Sequence, residues 1–153
     1  MNENEQTQAL NEIRDEIDQL DQQIQSCIAQ RAACAQKVAE IKTQGGQVPA
    51  VFYRPEREAQ VLRQVKARNH SLISDQDMAR LFREIMSVCL ALEQPVKVAY
   101  LGPEGSYSHA CVLKQFGGSV QPFGVNSIEA VFAAVEKKQV DYGLVPVENS
   151  SEG

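Results

Sequence analysis

Apolar residues recur at alternating intervals of three and four over the first third of the chain: Leu10, Ile13, Ile17, Leu20, Ile24, Cys27, then Cys34, Val38 and Ile41. That rhythm is the stripe of a long amphipathic helix. It predicts a helix from about Leu10 to Thr43, stopped at Gly45-Gly46. Some 34 residues make a helix of roughly 50 Å, longer than a small domain is wide. Its stripe needs partner helices along its whole length, and a homodimer is the natural solution. One position breaks the stripe. Arg31 stands where an apolar residue belongs. A guanidinium cannot lose its proton, and burying it unpaired is very costly. An anion is expected there, supplied either by another residue or by a ligand.

Two shorter helices follow. Pro55 suits the first position of one, with Glu56 and Glu58 in its first turn, where acids complement the helix dipole. It carries Val61, Leu62 and Val65 and fades near Asn69. The next is predicted from Ser74, with Asp77 completing a capping box. Its stripe is Met78, Leu81, Phe82, Ile85, Val88, Cys89 and Leu92, and Pro95 ends it.

The pattern then changes. Residues 96–101 form a mostly apolar run, read as a buried strand. Phe123 and Val125 mark a second strand, and Val140 to Val147 a third. Between them lie a helix opened by Gly102–Ser108 and another, capped by Ser127, from Ile128 to about Lys138. Strand and helix in alternation predict a parallel sheet. The fold class is therefore an all-α N-terminal domain of three helices followed by an incomplete α/β segment. Some fifty residues of half-sheet bury their faces poorly, so the segment must borrow contacts from the helices or stay disordered.

Composition narrows the function. The chain has 153 residues, 43% hydrophobic and 23% charged, a globular balance. A net charge of −5 speaks against a nucleic-acid surface. No stretch resembles a membrane span, and the polar, acidic residues 1–8 lack a signal-peptide pattern, so a cytoplasmic location is expected. The four cysteines form no C-x-x-C pair, and there are two histidines. No metal site is expected, and Cys27 and Cys34 read as small buried hydrophobes on the stripe.

The cations carry the candidate chemistry. Lys42 lies eleven residues after Arg31, only about 20° away round the helix and roughly 16 Å along it, so the two can grip one small dianion. Arg14 lies about 100° round and some 25 Å from Arg31, out of reach in a straight helix but available from a second chain. Arg54, Arg57 and Glu58 open the second helix. Cys89 and Glu93 share one face of the third.

The stretches Ile13–Asp18, Ala29–Arg31, Val38–Lys42 and Tyr53–Glu58 together resemble the all-helical chorismate mutase family in its intertwined-dimer form. The likeness covers about residues 8–94. Leu101–Ala110 and Gly143–Ser150 resemble prephenate dehydratase, placing the start of such a domain at 97–153. The resemblance implies a pericyclic conversion of chorismate to prephenate in phenylalanine biosynthesis, with no cofactor. Arg31, and Arg14 of the other subunit, would hold the two carboxylates. Lys42 and Glu93 would donate to the ether oxygen. Arg57 would support the site electrostatically, and Glu58 would accept from the ring hydroxyl. Cys89 stands where serine is familiar in that family and Arg54 where aspartate is, both among the expected substrate-binding positions. Ser106, Glu148, Asn149 and Ser150 would line a dehydratase cleft. The dehydratase family's Thr-Arg-Asp motif is absent from these residues, so no prephenate dehydration is expected from them alone. Two rivals stand: an isochorismate pyruvate lyase on the same scaffold, and a helical dimerisation module without catalysis.

Overall fold

The computed structural model describes residues 1–45 and 53–147. Helix α1 spans Glu3–Gln44, 42 residues. It begins a full two turns before the predicted Leu10. The cause is a reciprocal capping box: the Asn2 side chain accepts from Glu5 N (2.9 Å), and Glu5 accepts from Asn2 N (2.9 Å). Gly45 ends the helix, its N–H donating to Ile41 O.

Helix α2 spans Pro55–Arg68 and α3 spans Asp75–Glu93. Ser74 caps α3 by accepting from Asp77 N (3.1 Å). The predicted reciprocal half of that box is replaced: the Asp77 carboxylate pairs with Arg80 at 3.0 Å. Aspartate is one methylene shorter than the glutamate that usually reaches back. Helix α3 packs against both α1 and α2.

The stripe of α1 is only partly covered. Leu10, Ile13, Ile17, Leu20 and Ile24 each keep 48–56% of their surface exposed. Cys27 and Cys34, expected as buried hydrophobes, are exposed as well. They sit on the same uncovered stripe. Ala35, beside Arg31 and Val38, is the buried residue of α1. On α3 the apolar Leu81, Val88 and Leu92 are also about half exposed.

The second segment runs β1 (Lys97–Leu101), α4 (Tyr107–Phe116), β2 (Gln121–Val125), α5 (Ile128–Glu136) and β3 (Tyr142–Leu144). The sheet is parallel in the order β2-β1-β3, a single right-sized layer for two crossover helices. Alternation along β1 assigns its faces. Val98 and Tyr100 join Val96, Val112, Val120 and Tyr53 in one core, with Leu90 of α3 packed against it. Ala99 faces α5, against Val131 and Ala134. The half-sheet thus borrows contacts from the helices, the first of the two alternatives left open by the sequence. Gly143 is required on the α5 side, where a Cβ would stand 2.6 Å from Val131 Cγ1.

Two elements are shorter than predicted. α5 stops at Glu136, two residues before Lys138, which takes a left-handed φ of 58° in the turn. β3 covers three residues of the predicted eight, because it pairs only with Val98–Tyr100 of β1. Val140 is instead folded back on Ala134, and Pro146 has no N–H to offer a ladder.

Candidate active site

One cavity of about 400 Å³ lies where α1, α2 and α3 meet. Helix α1 contributes Arg31, Cys34, Ala35, Val38 and Lys42, positions that helical geometry stacks on one face. The start of α2 contributes Arg54, Arg57, Glu58 and Val61, preceded by Tyr53. Helix α3 adds Met86, Ser87, Cys89, Leu90 and Glu93. Seven of the eight sequence-predicted site residues therefore surround one space. The eighth, Arg14, does not. It lies seventeen residues up α1, about 25 Å away, where its guanidinium donates to its neighbour Asn11 at 3.5 Å.

The cavity carries four cations, Arg31, Lys42, Arg54 and Arg57, against two carboxylates, Glu58 and Glu93. This is a cationic hollow in a chain whose net charge is −5. Burial further weakens its negative side. Desolvation pushes the Glu93 carboxyl above the usual range, opposed by the nearby Lys42 and Arg31. Glu93 Oε2 lies 3.9 Å from Lys42 Nζ, with both side chains largely covered. Desolvation raises Glu58 too, opposed by Arg83. Among the described residues, no carboxylate comes within ion-pair distance of Arg31.

Several surrounding residues had no signal in the sequence. Arg83 Nε stands 3.7 Å from Glu58 Oε1, an ion pair too long for a hydrogen bond, and this buried N–H has no hydrogen-bond partner. Ser87 is a buried polar residue of α3 whose hydroxyl accepts from Ser119 N at 3.2 Å. Phe116 reaches the cavity from α4. Cys89, 2% exposed, offers only a weak thiol donor.

A model of the chorismate mutase type II family matches residues 13–94. The chain belongs to the chorismate mutase type II family. A prephenate dehydratase model matches residues 98–153. The chain is 53% identical over 146 residues to the bifunctional chorismate mutase/prephenate dehydratase of Stutzerimonas stutzeri, covering 94% of this chain and 40% of that protein. It is 52% identical over 147 residues to the protein of that name from Pseudomonas aeruginosa, with the same coverage. To the one from Escherichia coli K12 it is 26% identical over 162 residues. The chain thus spans about 40% of the length of the curated relatives it matches. The cavity lies wholly within the described part of the mutase-family region, apart from Phe116.

In the dehydratase-like region a second cavity sits at the carboxyl ends of β1 and β2, lined by Tyr100, Gly102, Glu104, His109, Gly124 and Asn126 among others. The His109 ring stacks on Tyr100 at 5.1 Å, and His109 Nδ1 accepts from Gly105 N at 2.9 Å. Ser106, expected in a cleft, is not part of this lining. Its hydroxyl caps α4 by accepting from His109 N. Glu148, Asn149 and Ser150 lie outside the described residues. Among the described residues, no helix is long and apolar enough to cross a membrane, and no three His, Cys, Asp or Glu side chains gather as a metal would need.

Proposed function

We propose that residues 8–94 form a chorismate mutase whose cavity converts chorismate to prephenate, and that residues 97–153 begin a prephenate dehydratase domain. The observation that carries the reading is the cation excess around Arg31, whose guanidinium has no carboxylate within ion-pair distance among the described residues. A substrate dianion fits such a hollow. The rearrangement is pericyclic and needs no nucleophile or proton transfer. The protein's work is to hold a folded substrate conformation and to stabilise charge developing on the ether oxygen. Arg31 holds one carboxylate in the bidentate manner that suits arginine. Lys42 and Glu93, 3.9 Å apart, face the ether oxygen together. Arg57 adds positive potential, and Glu58 accepts from the ring hydroxyl. Arg54 and Cys89 complete the lining and bind substrate from the α2 and α3 sides. Chorismate is favoured over isochorismate because the adjoining segment resembles an enzyme that consumes prephenate.

The second carboxylate needs Arg14 of another subunit. A homodimer in which two α1 helices cover each other's stripes would supply it, and would bury the half-exposed Leu10, Ile13, Ile17, Leu20 and Ile24. The four free cysteines suit a reducing, cytoplasmic compartment.

The test is to follow chorismate loss by the purified chain across pH, with wild type and Glu93→Gln. Glu93 donates a hydrogen bond only when protonated. Burial raises its pKa, so the protonated form persists further towards neutrality than in an ordinary glutamate, for which the value is about 4.3. kcat/KM is expected to fall as pH rises through the pKa of Glu93. Glu93→Gln, which keeps a donor at every pH, is expected to remove most of that fall. An unchanged profile in the variant sinks the role of Glu93. Absence of chorismate turnover at any pH sinks the function.

A further inference from the structure

The start of α2 carries Arg54, Arg57 and Glu58 into the cavity, yet little in α2 itself holds it in place. Its N-cap, Arg54, makes no side-chain capping bond. A helix start of this kind is often fixed by a staple, in which the residue before the N-cap packs on the fourth helical residue. Here those residues are Tyr53 and Glu58, and a carboxylate provides no apolar partner. Tyr53 is nonetheless buried. Its ring lies 5.2 Å from Phe116 and 5.1 Å, edge-on, from Tyr142. Phe116 and Tyr142 are themselves 5.8 Å apart. The Tyr142 hydroxyl also reaches the Tyr53 carbonyl, at 3.5 Å. The staple is therefore made across the chain, by the dehydratase-like segment.

That segment is in turn seated on α3. Gly117, at a φ of +82°, lies so close that a Cβ would stand 2.4 Å from Ser87 Cβ. Gly118 N donates to the Glu84 carboxylate at 3.1 and 3.2 Å, and Ser119 N to Ser87 Oγ. Phe116, one residue before this turn, lines the same cavity as Arg54, Arg57 and Glu58.

We infer that Phe116 is a positioning residue for the mutase site: by holding Tyr53 it fixes the start of α2 and so sets the affinity for chorismate. The inference rests on the mutase reading. Arg31 and Lys42 stand on α1 and are untouched by this clasp, so binding should suffer more than the chemical step. A rise in KM at constant kcat is the signature of lost uniform binding.

The experiment measures chorismate kcat and KM for the 153-residue chain and for Phe116→Ala, Phe116→Tyr and Glu84→Ala, with helicity checked by circular dichroism. Phe116→Ala is expected to raise KM about tenfold with kcat within about twofold of wild type. Phe116→Tyr, which keeps the ring, is expected to stay within about twofold in both. Glu84→Ala, on the outside of α3, releases the Gly118 turn and is expected to raise KM about threefold. A folded Phe116→Ala with unchanged KM, or with kcat falling as far as KM rises, overturns the inference. If Phe116→Ala does not fold, an unchanged KM in Glu84→Ala overturns it. A wild-type chain inactive on chorismate overturns the mutase reading and the inference with it. An active wild type with an indifferent Phe116→Ala overturns the inference alone.

Discussion

Arg31→Ala is expected to lower kcat/KM for chorismate by about a thousandfold while leaving the chain folded. The magnitude follows from two charge-assisted hydrogen bonds to one carboxylate, worth roughly 1.5–3 kcal/mol each, in a half-enclosed site. Stability should move the other way or not at all. Arg31 has no carboxylate within ion-pair distance among the described residues. Glu93, the nearby acid it influences, pairs with Lys42 instead, so removing Arg31 takes a weakly compensated charge out of an apolar stripe. Steady-state kinetics together with thermal unfolding separate the possibilities. Lost turnover at unchanged or raised Tm supports a substrate-binding arginine. Lost Tm at unchanged turnover would mark a structural arginine, and loss of the dimer in a chain without turnover would mark a pure dimerisation module.

Lys42→Ala is expected to lower kcat by about a hundredfold to a thousandfold, the usual cost of removing one donor aimed at developing negative charge. The loss should fall on kcat more than on KM, because the ether oxygen gains charge only as the bond breaks. A second consequence follows from the 3.9 Å pairing with Glu93. Desolvation raises the Glu93 carboxyl, and Lys42 is the first influence opposing it. Without Lys42 the rise is opposed by Arg31 alone, so the pKa climbs further. The fall of residual activity with pH should then move to higher pH than in wild type. A shift to lower pH, or a kcat within about tenfold of wild type, contradicts the assignment of Lys42.

Much of the helical architecture was legible because its signals are local. The stripe from Leu10 to Ile41, Pro55 at a helix start, Ser74 as a cap and Pro95 as a stop each act within a few residues. The Asn2–Glu5 box was equally local, but residues 2–8 carry no apolar side chain to advertise a helix there. The cavity residues on α1 were legible because Arg31 interrupts a stripe whose direction is known, and Lys42 follows on the same face.

What periodicity could not give is who covers what. The α1 stripe announces a partner without naming it, and one chain leaves the stripe half exposed. Arg83 sits within an ordinary amphipathic helix, and only the packing of α2 on α3 brings it to Glu58. Phe116 and Tyr142 belong to another architecture altogether. Their meeting with Tyr53, 63 and 89 positions away along the chain, depends on how the sheet docks on α3. The eight-residue stretch from Val140 to Val147 looked like one strand, but register with β1 admits only Tyr142–Leu144.

The central claim is that each site takes Arg31 from one chain and Arg14 from another. Its most direct test mixes Arg14→Ala and Arg31→Ala chains after dissociation and lets them reassociate. Each variant alone lacks one half of every site. In a mixed dimer of two-fold symmetry, one site regains both arginines and the other loses both. Random pairing makes half the dimers mixed, so about one quarter of wild-type activity is expected to return. A mixture no more active than the two variants measured separately would contradict a site shared between chains.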